Sequence, residues 1–554
     1  MGDSNAADAT RSDEPERNGS YAERRDPTGV PHLDEVLGGG LPRGSLVLVM
    51  GLPGSGKTTL ASQIVFTAAR SGKRALILTA LSESTSKLLE HLRAFSFFDL
   101  ALIGGPVQFL SLQGVLALGL EAACDAIVTE VRRVKADVVL LDGFRGLRTV
   151  DSDPLAAREF LYMLGTTLAT LGCTTIITTE TDPRDPNFFP ESTTADVILG
   201  LHYALIGVRQ HRGLEVVKAR TAAPLPGLHT LTLSADGVSV YPQLEERVAA
   251  AALGGDAQTQ GAARATGERA LPAPPGPAQR ARFDLPVLDM MLSGGLPRST
   301  CTLLAGSPGS GKTLLALCYA LAGVRAEEAT VILGFRESLE QLRLAASSFS
   351  MGPELDRALR PGGGLTFSEV PPIKVNVDIL ADRLLMELDR THAQRLVIDS
   401  ISELERAILH GPDPQRLDDY FAALLAAMRA RRVTGLLVKE TEKSPEVTFD
   451  VAFGGLSGLA ENVLLLQQVP YGGALHRILS VVKLRFSNHD TALREFRISA
   501  PEGFHLLEAP AGGGVVAGIS REHDARAAGS PQTAARVSRG RHANSPRSPD
   551  DERE

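Results

Sequence analysis

One eight-residue pattern occurs twice in this chain, and few folds accommodate it even once. Gly51-Leu52-Pro53-Gly54-Ser55-Gly56-Lys57-Thr58 and Gly306-Ser307-Pro308-Gly309-Ser310-Gly311-Lys312-Thr313 both satisfy G-x-x-x-x-G-K-[ST]. An apolar run, Leu46 to Met50, leads into the first copy, and a helical pattern from Thr59 to Val65 leaves it. Thr302 to Ala305 and Leu314 to Leu317 flank the second copy in the same way. Strand, glycine loop and helix in that order aim backbone N–H groups at an anion. The glycines permit positive φ and let the main chain approach oxygen atoms closely. Lys57 and Lys312 supply charge for the β- and γ-phosphates of a nucleotide, and the Thr58 and Thr313 hydroxyls suit Mg²⁺. A single match could be a glycine-rich turn of no consequence; two matches in matching contexts argue against that. With Thr59 and Leu314, the two loops are candidate nucleotide-binding segments.

The duplication is wider than the loops. Leu33 to Ser45, directly before the first loop, recurs as Leu288 to Ser299 before the second. The period, about 255 residues, is far too long for a solenoid and marks a duplicated domain. Apolar runs at 75–79, 138–142 and 174–179 alternate with helical patterns, which predicts a parallel sheet covered on both faces. From about residue 195 strands follow one another without long helices, an antiparallel extension. Runs at 330–333, 396–399 and 435–438 repeat the order. The expected division is a disordered arm (1–26), a first domain (27–245), an Ala/Gly/Pro-rich linker (246–280), a second domain (281–508) and a disordered tail (509–554). A formal charge of −8 gives no general attraction to nucleic acid or acidic membranes. No apolar run reaches a membrane-spanning length, and no signal peptide is seen. Cys124, Cys173, Cys301 and Cys318 are scattered, as expected of buried thiols in a reduced cytoplasmic protein.

Hydrolysis needs further groups. A carboxylate ending a buried strand can hold Mg²⁺, and Asp142 and Asp399 each end an apolar run about 85 residues after the loop lysine. A second carboxylate must orient the attacking water. Glu83 and Glu337, each beside a serine after the second strand, are the candidates; a solvated glutamate at a helix start is the competing reading. Glu180 and Glu440 follow the third matched strand, either to sense the γ-phosphate or to cap the strand. Arg212, Lys218 and Arg220 share the spacing R-x₅-K-x-R with Arg477, Lys483 and Arg485. Alternation along a strand places such residues on one face. The repeated spacing points to a shared task, neutralising a transferring phosphoryl group, with a neighbouring subunit as recipient.

Together these residues resemble the KaiC family of circadian-clock ATPases, within the RecA/RadA superfamily. The lead-in segments 33–45 and 288–299, and Lys483-Leu484-Arg485 through Arg494-Glu495-Phe496, carry the resemblance, which spans about residues 27–242 and 282–507. It implies two tandem RecA-like α/β P-loop domains, each a mainly parallel sheet flanked by helices with an antiparallel extension. It implies ATP and Mg²⁺ as cofactors, and homohexameric rings with ATP between neighbours. Lys218, Arg220, Lys483 and Arg485 would reach the γ-phosphate in trans, with Arg212 and Arg477 assisting. Regulatory or signalling proteins are the expected partners, in a timing role; neither nucleic acid nor membrane is expected. The sequence departs from the family at two places. Two consecutive glutamates usually follow the second strand; here the first is Ser82 in one domain and Arg336 in the other. The adjacent Ser-Thr pair that clock members autophosphorylate is matched by Ser457-Gly458, leaving Ser457 as one acceptor for an autokinase. Other readings are a recombination or repair ATPase, which the acidic charge and the lack of a zinc-type cysteine cluster weigh against, and a slow nucleotide-dependent switch.

Overall fold

The structure, a computed structural model of the chain, describes residues 25–79, 85–144, 154–185, 193–206, 208–220, 222–263, 280–373, 375–441, 456–471 and 473–507. Residues 25 and 26, placed in the arm by the sequence, form a short strand. Arg25–Asp26 pairs antiparallel with Leu41–Pro42, and the Asp26 carboxylate accepts from Arg43 Nε at 2.7 Å.

Each half builds a nine-stranded sheet of the same order. In the first, the strands run Val107–Ser111, Ala75–Thr79, Val138–Asp142, Thr174–Thr179, Leu46–Gly51, Val197–Ile206, Arg209–Ala219, His229–Ser234 and Gly237–Tyr241. The first six are mutually parallel and the last three continue antiparallel. In the second, Leu365–Glu369, Thr330–Gly334, Arg395–Asp399, Thr434–Glu440, Cys301–Gly306 and Asn462–Tyr471 form the parallel part. Ala474–Leu484, Arg494–Ser499 and Gly503–Leu506 extend it. The central strands read as unbroken Val/Ile/Leu runs because both their faces are covered, and Leu46–Gly51 and Cys301–Gly306 are buried at every residue. The loop-following helices Lys57–Arg70 and Lys312–Arg325 pack on one face of each sheet. Leu120–Val134 and Pro154–Thr170 cover the other face of the first sheet, and Val377–Thr391, Ile401–Leu409 and Leu417–Ala430 that of the second.

The stretch expected to be linker is helical in its first part, Leu244–Ala263. Leu244 is buried in the core of the second domain, beside the helix Leu417–Ala430. Val248 packs against the same core while residues 249–253 are exposed, so the helix is anchored at its first turns and continued by alanine, a strong helix former. Around this helix the domains are joined by ion pairs. Arg416 forks Glu245 and Asp378, and Thr230 Oγ1 donates to Asp378 Oδ2 at 2.9 Å. Arg247 bridges Glu35 (2.7 Å) and Asp382 (2.9 Å).

His32 completes this network, its Nε2 3.3 Å from Asp382 and its Nδ1 3.6 Å from Glu35. Bonding to Asp382, then to Glu35, outweighs burial and the Arg247 charge and raises its pKa from 6.5 to about 9. A raised histidine contributes stability fully below its unfolded value and loses it as pH rises through its folded value. Thermal stability is therefore expected to fall between about pH 6.5 and 9, the two values that bracket the shift. Melting curves across that range test this; in His32→Ala the fall should flatten.

The second domain also buries a charge cluster. Arg395, 2% exposed, donates through Nε to Glu328 and through Nη1 to the carbonyls of Arg282 (2.7 Å) and Tyr319 (2.9 Å). Glu328 also accepts from Arg298. The matching strand position of the first domain is Val138, since Ala75 pairs with Val138 as Thr330 pairs with Arg395. Among the described residues this cluster has no counterpart in the first half.

Candidate nucleotide site

Both loops leave the C-terminal end of a central strand and feed directly into a helix whose first residue is the lysine. Gly56 (φ 103°) and Gly311 (φ 101°) cap those helices in a left-handed conformation that a Cβ would strain. At Gly51 and Gly306 a Cβ would meet the carbonyl oxygens of Leu201 and Leu466 at 2.7 and 2.5 Å, so only glycine lets the strands close there. Lys57 Nζ donates to Leu52 O at 3.1 Å and Lys312 Nζ to Ser307 O at 2.9 Å, folding each ammonium over its own loop. Both lysines are over nine-tenths buried, and burial lowers both pKa values. Glu180 and Asp142 oppose that in the first site, Glu440 and Asp399 in the second.

The threonines and the strand-end aspartates meet. Thr58 Oγ1 lies 3.1 and 3.3 Å from the two oxygens of Asp142; Thr313 Oγ1 donates to Asp399 Oδ2 at 2.7 Å. Each donor set is a hydroxyl and one carboxylate at the start of a phosphate-binding helix. It fits Mg²⁺, which takes few protein oxygens and completes its shell with water and phosphate. No group of three or more His, Cys, Asp or Glu that could hold a metal occurs among the described residues.

The halves differ around these aspartates. Thr178 Oγ1 donates to Asp142 Oδ1 at 2.6 Å while accepting from Gly143 N at 2.9 Å, which fixes the carboxylate's orientation. Sequence reading used Thr178 only as part of a strand; an alternation of threonines facing a strand-end aspartate is the signal that could have singled it out. In the second half Val438 pairs with Asp399, and it has no hydroxyl to offer. Burial then pushes the Asp399 pKa up, against the pull of Thr313 and Lys312.

Lys312, Thr313, Asp399, Glu337, Arg336 and Glu440 line one cavity of about 400 Å³. Its remaining wall is largely apolar, with Leu317, Ile332, Phe349 and Phe367. Glu337 is thereby brought to the lysine, and burial followed by the Asp399 charge raises its pKa. Its counterpart Glu83, with Ser82, lies outside the described residues, as does the side chain of Ser457 in the short helix Leu456–Leu459.

The basic sets do not stay together. Arg212 pairs with Tyr203 across the hairpin, stacks on its ring at 5.0 Å, and sets its guanidinium 3.4 Å from Gly54 O of its own loop. Lys218 and Arg220 lie at the opposite end of the sheet, where Lys218 Nζ donates to Thr193 O at 3.3 Å and Arg220 lies 3.4 Å from Asp196. The expected common face is absent. A β-bulge shifts the register between Ile198 and Leu199, so Lys218 pairs with Ile198 on one face while Arg212 shares the face of Leu199 and Leu201. The second half repeats this, with a shift between Val463 and Leu464, Lys483 paired with Val463 and Arg477 with Gln468. Lys483 Nζ donates to Ala460 O at 2.7 Å, and Arg485 N to Glu461 O at 3.2 Å. Gln468, not Arg477, reaches the loop there, donating to Gly309 O at 2.9 Å.

A doubled parallel sheet with a phosphate loop, a strand-end aspartate and an antiparallel extension in each half defines a tandem RecA-like P-loop protein. The model of the KaiC ATPase family matches residues 26–245 and again 284–511. The circadian clock oscillator protein KaiC 1 of a Synechocystis species is 26% identical over 484 residues, covering 85% of this chain and 87% of the relative. KaiC of Thermostichus vulcanus is 26% identical over 498 residues, covering 88% and 89%. The chain belongs to the KaiC family and carries its ATPase domain twice.

Proposed function

We propose that each half binds ATP with Mg²⁺ and hydrolyses it, that chains assemble into six-membered rings, and that the assembly serves a signalling or timing role through protein partners. The supporting observation is the repeated trio of a buried loop lysine, a helix-start threonine and the aspartate bonded to it. In this reading Lys57 and Lys312 clamp the β- and γ-phosphates, and Thr58, Asp142, Thr313 and Asp399 hold Mg²⁺, whose charge offsets that of the phosphates. Glu337 and Glu83 orient the attacking water. Relatives named as circadian clock oscillators favour the timing role.

The ring reading draws on Lys218, Arg220, Lys483 and Arg485. Lys218 is level with Leu48 and Arg220 with Leu46, so along the strand they stand roughly 10 and 17 Å short of Gly51 at about 3.3 Å per residue. A neighbour's nucleotide is a recipient such residues could reach. Arg212 supports the site in cis, through its own loop, and Arg477 is given no trans role. The native mass measured with and without Mg²⁺-ATP tests the assembly: six chains are expected with nucleotide, and a monomer in both conditions overturns the ring.

Ser457 is the narrower proposal, an acceptor for autophosphorylation by the second half. Labelled γ-phosphate should enter the wild-type chain and not Ser457→Ala; label retained in the variant rules that serine out. A cytoplasmic location is proposed, and no helix among the described residues is long and apolar enough to cross a membrane. A slow switch is the second reading, favoured by Arg336 standing where a carboxylate is usual.

A further inference from the structure

The second site contains a cation, Arg336, at the place where the sequence of the first half has Ser82. Arg336 follows the strand Thr330–Gly334, and its guanidinium joins two carboxylates: Nε donates to Glu403 Oε1 at 2.8 Å and Nη1 to Glu440 Oε2 at 2.6 Å. Glu403 is 4% exposed and also accepts from Arg406 at 3.2 Å, so it is a fixed anchor. Glu440 differs. It ends the strand Thr434–Glu440 opposite Gly306, the first residue of the phosphate loop, and it lines the loop cavity with Arg336 and Lys312. One edge of the guanidinium is therefore held from behind, and the other is paired with a carboxylate at the mouth of the phosphate site.

We propose that Arg336 makes the second site discriminate tri- from diphosphate: with ATP bound, its guanidinium leaves Glu440 for the γ-phosphate while Glu403 retains the other edge. The inference rests on the reading that this loop binds ATP. A planar guanidinium presents five N–H donors in a fork that matches phosphate oxygens as well as carboxylate. Arriving γ-phosphate brings a second anion to the cavity where Glu440 already stands, and the two compete for one cation. A diphosphate leaves no charge at that position, so the Glu440 pair persists. The exchange also frees Glu440 beside Lys312, whose charge Glu440 already stabilises. The two domains would then differ: the second reads the ratio of ATP to ADP, and the first, with a serine there, reads it less.

The test uses the full chain carrying Lys57→Ala, so that the second site dominates. Fluorescent N-methylanthraniloyl ADP and the matching β,γ-imido triphosphate are titrated with Mg²⁺. Arg336→Ala should weaken the triphosphate roughly 10- to 100-fold, the range for a hydrogen bond to a charged group, and the diphosphate less than about twofold. Arg336→Lys should recover part of the difference, and Glu440→Gln should tighten the triphosphate. Should Arg336→Ala fail to fold, Arg336→Gln reads the same ratio. Equal loss of both ligands would mean a brace between loop and helix and would overturn the inference, as would no change in either. If the parent chain binds both ligands and Lys312→Ala does not, a null result at Arg336 counts against this inference alone. If the parent binds neither, the ATP reading falls and the inference with it.

Discussion

Replacing Lys57 or Lys312 with alanine is expected to lower phosphate release from the affected half by on the order of 10²- to 10³-fold, the range for loss of one preorganised charge-stabilising group. Each lysine is nearly sealed by the loop that it crosses, with no other loop cation bonded at its position among the described residues. The site was formed by burying that ammonium, at some cost in desolvation, beside Asp142 or Asp399. Removing it leaves the aspartate facing the phosphates without the compensating charge. Steady-state phosphate release from the two single variants and the double variant separates the halves. The single variants should leave complementary residual activities, and the double variant none. Double-variant activity equal to wild type would remove the loops from the chemistry.

Glu328→Ala is expected to destabilise the second domain by about 3–5 kcal/mol, the range for breaking a buried ion pair by deleting one partner. The loss strands Arg395, whose guanidinium is enclosed by Tyr319 and two carbonyls and has no route to water. For a domain of this size each kcal/mol moves the melting point by roughly 2–4 °C, so a fall of roughly 6–20 °C is expected. The transition of the first domain should move little, because Val138 stands where Arg395 does. Calorimetry of the full chain reads both transitions. An unshifted second transition would show that Arg395 finds another partner.

The phosphate loops and the strand-end aspartates were legible because each depends on local order: a glycine run can cradle an anion only between a strand and a helix, and both flanks are visible within twenty residues. That the sheet is mainly parallel followed from apolar runs that need cover on two faces; the order of its strands did not. The common face expected of the basic residues does not form, for an equally local reason. A spacing of two places residues on one face only while the register holds, and the bulges at Ile198/Leu199 and Val463/Leu464 break it. Nothing in R-x₅-K-x-R announces a bulge, because it answers to packing against the neighbouring strand. The helix Leu244–Ala263 was not legible because composition does not show its anchor, Leu244, meeting the second core.

By itself the order of residues determined the doubling, the nucleotide-binding chemistry of the loops and the sheet that carries them, since all three follow from hydrogen-bond geometry and apolar periodicity within single segments. Tertiary structure alone decided which charges meet: Arg336 with Glu403 and Glu440, Arg212 with its own loop, and His32 with Asp382 across the domains. Ion pairs join residues as much as 350 positions apart, and at a few ångströms their partners are set by how sheets, helices and domains pack.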